Sequence, residues 1–144
     1  MSIIRRLFSL FVLFLSLNAL GESPQKQIKY VPAKPTSPAS GQEMYTAYCA
    51  ACHGREGRGN GPAAEALKVA PTDLTILARR NGNRYPYDHV MSAITGDAHL
   101  PVHGSKEMPV WGGLFWGMSQ GHPSEVQQRL SNLSKHIESM QRNN

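Results

Sequence analysis

The sequence predicts an all-α chain of three to five short helices joined by long loops, and three observations carry that prediction. Apolar residues recur at three- and four-residue steps in several stretches, the spacing of one helix face. No stretch shows the apolar/polar alternation of a half-buried strand, and no internal repeat is visible. Gly and Pro cluster between the periodic stretches, where they interrupt regular structure.

The chain opens with Arg5 and Arg6 before an apolar run from Leu7 to Leu17, and Ala19-Leu20-Gly21 places small residues where a signal peptidase reads. The run is shorter than the ~20 apolar residues that span a bilayer, so a cleaved export signal over 1–21 is expected in preference to a retained anchor. Cleavage would leave 123 of the 144 residues, enough for one domain, and would lower the formal charge from +5 to +3. The remaining basic residues are dispersed, with Arg79-Arg80 the only adjacent pair. A nucleic-acid partner is therefore not expected, because a phosphate backbone requires a basic stripe. From Glu22 to Ser40, Pro24, Pro32, Pro35 and Pro38 alternate with polar residues, which predicts a flexible leader over 22–40, either a tether or a spacer.

The globular part, 41–144, is expected to begin with a helix whose inner face is Met44, Tyr45, Tyr48, Cys49 and Cys52. Gly54, Gly57, Gly59 and Gly61 break it, and Pro62 starts a short helix through Leu67. Thr72 or Asp73 caps the next, with Leu74, Leu77 and Ala78 inward. Pro86 opens another with Val90, Met91 and Ile94 as its apolar face and Gly96 as its stop. Residues 97–121 read as loop. Ser124 is expected to cap a final helix burying Val126, Leu130, Leu133, Ile137 and Met140.

Both cysteines fall in Cys49-Ala50-Ala51-Cys52-His53. On a helix the two sulfurs share a face at i and i+3, where both can form thioethers with one porphyrin, and His53 follows to offer a ring nitrogen to iron. Competing readings are a disulfide, a thioredoxin-like pair and half of a zinc site. Zinc would need a second ligand half, and a thioredoxin-like pair a βαβ pattern; neither is visible. A carrier also needs a sixth iron ligand. Met44, Met91 and Met140 sit on helix faces and suit the core. Met118 lies unconstrained between Gly117 and Ser119. Met108 is the better candidate, because Pro109 restricts it to extended backbone that can hold its thioether across a pocket.

With these features in place, the sequence from Gly41 to about Gln141 resembles a monohaem class I cytochrome c of bacterial, periplasmic type. The resemblance is carried by Gly41 and Tyr45 eight and four residues before Cys49, the Cys49–Gly54 core, Gly61-Pro62, Met108-Pro109 and the C-terminal helix. Ala70–Thr75 and Glu107–Gly112 look like a bacterial subset. It implies a cytochrome c fold around one covalently bound haem c, with His53 and Met108 as axial ligands. It also implies that the first and last helices cross with Gly41 allowing close approach and Tyr45 packing on the last helix, and that the Pro62 carbonyl accepts a hydrogen bond from His53. In one departure, Leu133 is followed three residues later by His136 where the family commonly has an aromatic residue.

His99 and His103 precede Met108 in the same loop and are alternative sixth ligands, or a two-ligand copper or zinc site; solvated loop residues are the expected reading. His89, His122 and His136 are expected at the surface. Arg79, Arg80 and Trp111 are candidate propionate partners. Trp111, Leu114, Phe115, Trp116 and Met118 form an apolar cluster, mostly core, whose exposed part could dock a redox partner. The expected function is one-electron transfer in the periplasm between unnamed protein partners, without enzymatic chemistry, and with membrane contact only through a partner or an uncleaved signal. The alternatives are a haem subunit or tethered module of a larger oxidase or dehydrogenase, and a five-coordinate or bis-histidine sensor or enzyme.

Overall fold

Helix α1 (41–53) starts where the Ser40 side chain accepts a hydrogen bond from the Glu43 amide at 3.1 Å, with the Glu43 carboxylate reaching back to the Ser37 amide. This Ser-x-x-Glu cap satisfies donors that have no partner within the helix. The computed structural model describes residues 33–96 and 108–142, and all structural statements concern these. Helix α1 is not uniform: an α-turn Gly41–Met44 passes into a π-helical turn Tyr45–Cys49 and back into an α-turn Ala50–His53. The wide turn, closed by the Ala50 amide on the Tyr45 carbonyl, brings Met44, Tyr45, Tyr48 and Cys49 together into the core.

The four carbonyls that end α1 are satisfied by the glycine-rich loop behind it. Ala50, Ala51, Cys52 and His53 accept from the amides of Gly54, Ala63, Gly61 and Gly59 at 2.8–2.9 Å. Gly59 achieves this at φ +79°, with its Cα against the Pro71 carbonyl, where a side chain would collide. The helix expected after Pro62 shrinks to one 3₁₀ turn, Ala64–Ala66.

Asp73, not Thr72, caps the next segment, accepting from the Thr75 amide at 2.8 Å. A 3₁₀ turn Leu74–Ile76 leads into α2 (Leu77–Arg80). Here Thr75 and Ile76 are the buried residues, whereas Leu74 and Leu77 are only partly covered. The C-terminal tail staples this segment: the Gln141 side-chain amide bridges Ala78 N and Leu74 O, and Arg142 reaches Thr75 and Asp73. Helix α3 (Tyr87–Thr95) follows Pro86, buries Val90 and Ile94, and stops at Gly96 in the left-handed conformation.

Two expectations fail at the next helices. Residues 112–118 form helix α4 (Gly112–Met118), where loop was expected because three glycines lower its propensity. Its anchor is Phe115, fully buried, a contribution of roughly 2–3 kcal/mol that outweighs the glycines. Helix α5 (Pro123–Ser139) is not capped by Ser124: Pro123 takes the first position, whose missing amide costs nothing there, and His122 precedes it. Val126, Leu130, Leu133 and Ile137 are buried as expected, and Met140 packs at the edge.

Helix α5 crosses α1 at Gly41, where any Cβ would collide with the Asn132 carbonyl. Leu133 is fully buried at this crossing. The expected aromatic partner is replaced by His136, whose ring lies 5.3 Å from that of Tyr45, and burial lowers its pKa, disfavouring the charged form.

The leader expected to be flexible over 22–40 is docked from Ala33 onward. Its carbonyls are claimed by the folded part: Lys34 O by Tyr48, Thr36 O by Arg129, Pro38 O by Asn132. Arg129, whose side chain is 5% exposed, was not foreseen in the core; it also bonds Ser119 and Glu125. The segment 1–32, with the expected signal, and residues 97–107, with His99 and His103, lie outside the described residues. Among the described residues there are no strands, and no helix is long and apolar enough to cross a membrane.

Candidate haem site

A cavity of about 430 Å³ opens between the end of α1, the 72–77 segment, α3 and the Met108–Trp111 segment. This lies within the ~300–1,000 Å³ range of small-molecule and cofactor sites. Cys49, His53 and Met108, separated by up to 59 positions in sequence, all line it. Leu74, Leu77, Val90, Ile94, Trp111 and Ile137 supply apolar walls. The side chains that left Leu74 and Leu77 short of full burial thus face this cavity.

The imidazole of His53 is oriented by its own hydrogen bond. Its Nδ1 lies 3.0 Å from the Thr72 carbonyl oxygen, and since a carbonyl can only accept, Nδ1 carries a proton and Nε2 is the nitrogen that could ligate iron. The expected acceptor was the Pro62 carbonyl. Pro62 is exposed, does not line the cavity, and stands on the loop that caps α1, so Thr72 takes the part assigned to it. Thr72 is brought under His53 by Leu74 N–H on Gly57 O at 2.7 Å and by the tail contacts of Gln141 and Arg142.

Cys49 is buried beside the cavity; Cys52, one turn on, is half-buried and outside the lining. Both are free thiols. Burial, aided by the neighbouring Cys52 sulfur, pushes the Cys49 thiol up to about 12, and burial raises Cys52 as well. Protonated thiols of this kind differ from the low-pKa pair of a thiol oxidoreductase. Among the described residues no group of three or more His, Cys, Asp or Glu could hold a metal ion by itself. The cavity is lined by two imidazoles, His53 and His89, the Met108 thioether and the Cys49 thiol, with Cys52 at i+3 from Cys49 just outside the lining, and haem c fits this set.

Of the polar candidates, Arg80 and Trp111 line the cavity and Arg79 does not. His89, expected at the surface, lines it too, as does Asn81. The signal for His89 was present: Pro86, His89, Val90, Ala93 and Ile94 fall at i, i+3, i+4, i+7 and i+8, one helix face, all in the lining. For Thr72 there was no such signal, because a backbone carbonyl is recruited by chain path and not by residue type.

The helical fold and the Cys-x-x-Cys-His helix end define a class I-like monohaem cytochrome c domain. The profile of the family described as cytochrome c oxidase, cbb3-type, subunit III matches residues 36–119, and the chain belongs to that family. The match begins five residues before α1, within the docked leader from Ala33 onward, a strap against the folded part. Comparisons with curated proteins and with solved structures returned no match. Family membership implies haem-based electron transfer and covalently bound haem c.

Proposed function

We propose that this protein is an exported one-electron carrier holding one haem c, bound by thioethers to Cys49 and Cys52 and ligated by His53 and Met108. The observation that carries this reading is that His53, with its Nδ1 proton engaged by Thr72, borders the same apolar cavity as Cys49 and the Met108 thioether. When bound, the haem supplies an iron that alternates between ferrous and ferric states. The chain supplies its setting. The Thr72 carbonyl fixes the imidazole tautomer and raises its basicity, the thioether favours a high potential, and the apolar walls exclude water. No nucleophile or general base is needed. An export signal over 1–21 would deliver the chain to the periplasm, where protein redox partners are its donor and acceptor. Val110 and Trp116, 62% and 52% exposed, are suited to transient docking; Trp116→Ala should slow partner reduction, and unchanged kinetics would remove it.

The test is an optical spectrum of exported protein in both oxidation states. The expected result is a haem spectrum that survives acidified organic solvent, with a sulfur-to-iron charge-transfer band lost in Met108→Ala. Colourless protein, or pigment that extracts, rejects the reading. The family description favours a second possibility, a haem subunit of a larger oxidase, with the N-terminal segment as attachment. Elution of the native protein in a large complex on size exclusion selects it over a free carrier.

A further inference from the structure

The Met108–Trp111 segment depends on a chain of contacts that begins at the N-terminal strap. Trp111, three residues after Met108, lines the cavity, and its amide donates to Ile94 O at 2.9 Å. Its indole stacks on the ring of Tyr48 at 5.0 Å and 30°. Tyr48 does not line the cavity. Its hydroxyl donates to Lys34 O at 2.6 Å, and the Thr36 hydroxyl, at 2.8 Å, donates to the phenol oxygen because the single phenol proton is already used. The Thr36 carbonyl in turn accepts from Arg129 Nη1 at 2.9 Å. Arg129 is buried, so lifting the strap would leave a desolvated guanidinium short of an acceptor. That penalty disfavours lifting the strap.

We propose that the strap from Lys34 to Thr36 is a clamp on the distal half of the haem site, and that Tyr48 and Arg129 are positioning residues keeping the Met108–Trp111 segment closed. The proposal rests on Met108 being the sixth ligand. A closed segment keeps the thioether in place, and an external ligand competes for its position only while the segment is open. Nothing in the motif requires this: Tyr48 lies one residue before Cys49, yet its hydroxyl serves a segment 14 residues upstream.

The experiment is carbon monoxide binding to the reduced, haem-loaded full chain. Removing the Tyr48 hydroxyl in Tyr48→Phe should raise the open population, and with it the binding rate, about fivefold to tenfold, the ratio that a lost hydrogen bond commonly represents. Arg129→Met, at the far end of the relay, should act in the same direction. Tyr85→Phe is the control: it deletes a hydroxyl that donates to Ser134 O at 2.9 Å outside the cavity lining, and should leave the rate unchanged. Equal rates in Tyr48→Phe and Tyr85→Phe, with the sulfur-to-iron band intact in the unmodified protein, overturn the clamp alone. Absence of that band from the unmodified protein overturns the Met108 assignment and the clamp with it. If Arg129→Met does not fold, Tyr48→Phe against Tyr85→Phe still decides.

Discussion

The Cys49–His53 end of α1 is held by its immediate successors in sequence, whereas the Met108–Trp111 segment facing it is held by residues drawn from across the chain. On the first side, amides from residues 54, 59, 61 and 63 satisfy the last four helix carbonyls. On the second, Ile94, Tyr48 and, through Tyr48, the strap and Arg129 do the holding. Local bonds form with little loop-closure cost and persist when distant parts loosen. The Met108 side is therefore the one expected to open first, which suits the proposed role of Met108 as a ligand held without a covalent tie.

Substitutions can break or sharpen this contrast. The largest effect is expected where both halves depend on the same crossing: Gly41→Val forces a side chain into the Asn132 carbonyl and should cost about 3 kcal/mol or prevent folding, read by thermal unfolding. Arg129→Met removes bonds to Thr36, Ser119 and Glu125 and should cost about 2 kcal/mol in denaturant. It should also expose the strap to protease while leaving the α1 loop protected; equal cleavage of both would erase the contrast.

Asp73→Asn tests the proximal side at lower cost, about 1 kcal/mol for a weakened cap. Burial pushes the Asp73 carboxyl up, but the Thr75 hydroxyl and amide together with Arg142 and Arg80 outweigh it and hold it below the usual carboxylate range. A lowered folded value means that its stabilisation is complete above the unfolded carboxylate value of ~4 and is lost as pH falls through the folded one. The variant should therefore show a flatter acid arm in unfolding scans below about pH 4. The smallest effect is expected from Tyr45→Phe, which loses one bond to Gly54 O at 2.7 Å, about 1 kcal/mol or less in thermal unfolding. Because that hydroxyl serves the loop after His53, carbon monoxide binding should not change.

Much of this was legible in residue types at short range. The motif pointed to haem c because Cys, Cys and His at fixed helical spacing have few other uses. Gly96 and Pro86 bounded α3, and the α5 face followed from its period. Residue type misled where a tertiary contact supplied what propensity lacked: α4 forms around Phe115 despite its glycines. The proline-rich strap is ordered by acceptors its composition cannot advertise, since every residue has a carbonyl.

Sequence by itself pointed to the chemistry, a Cys-x-x-Cys-His motif suited to haem c, and to a helix that carries it. The tertiary structure alone decided which carbonyl orients His53, that His89 faces the cavity, and that a buried arginine ties the strap to Ser119 and Glu125. The physical reason is that side-chain chemistry is a property of residue type, whereas backbone acceptors are identical along the chain and acquire roles only through the path that brings them near a donor.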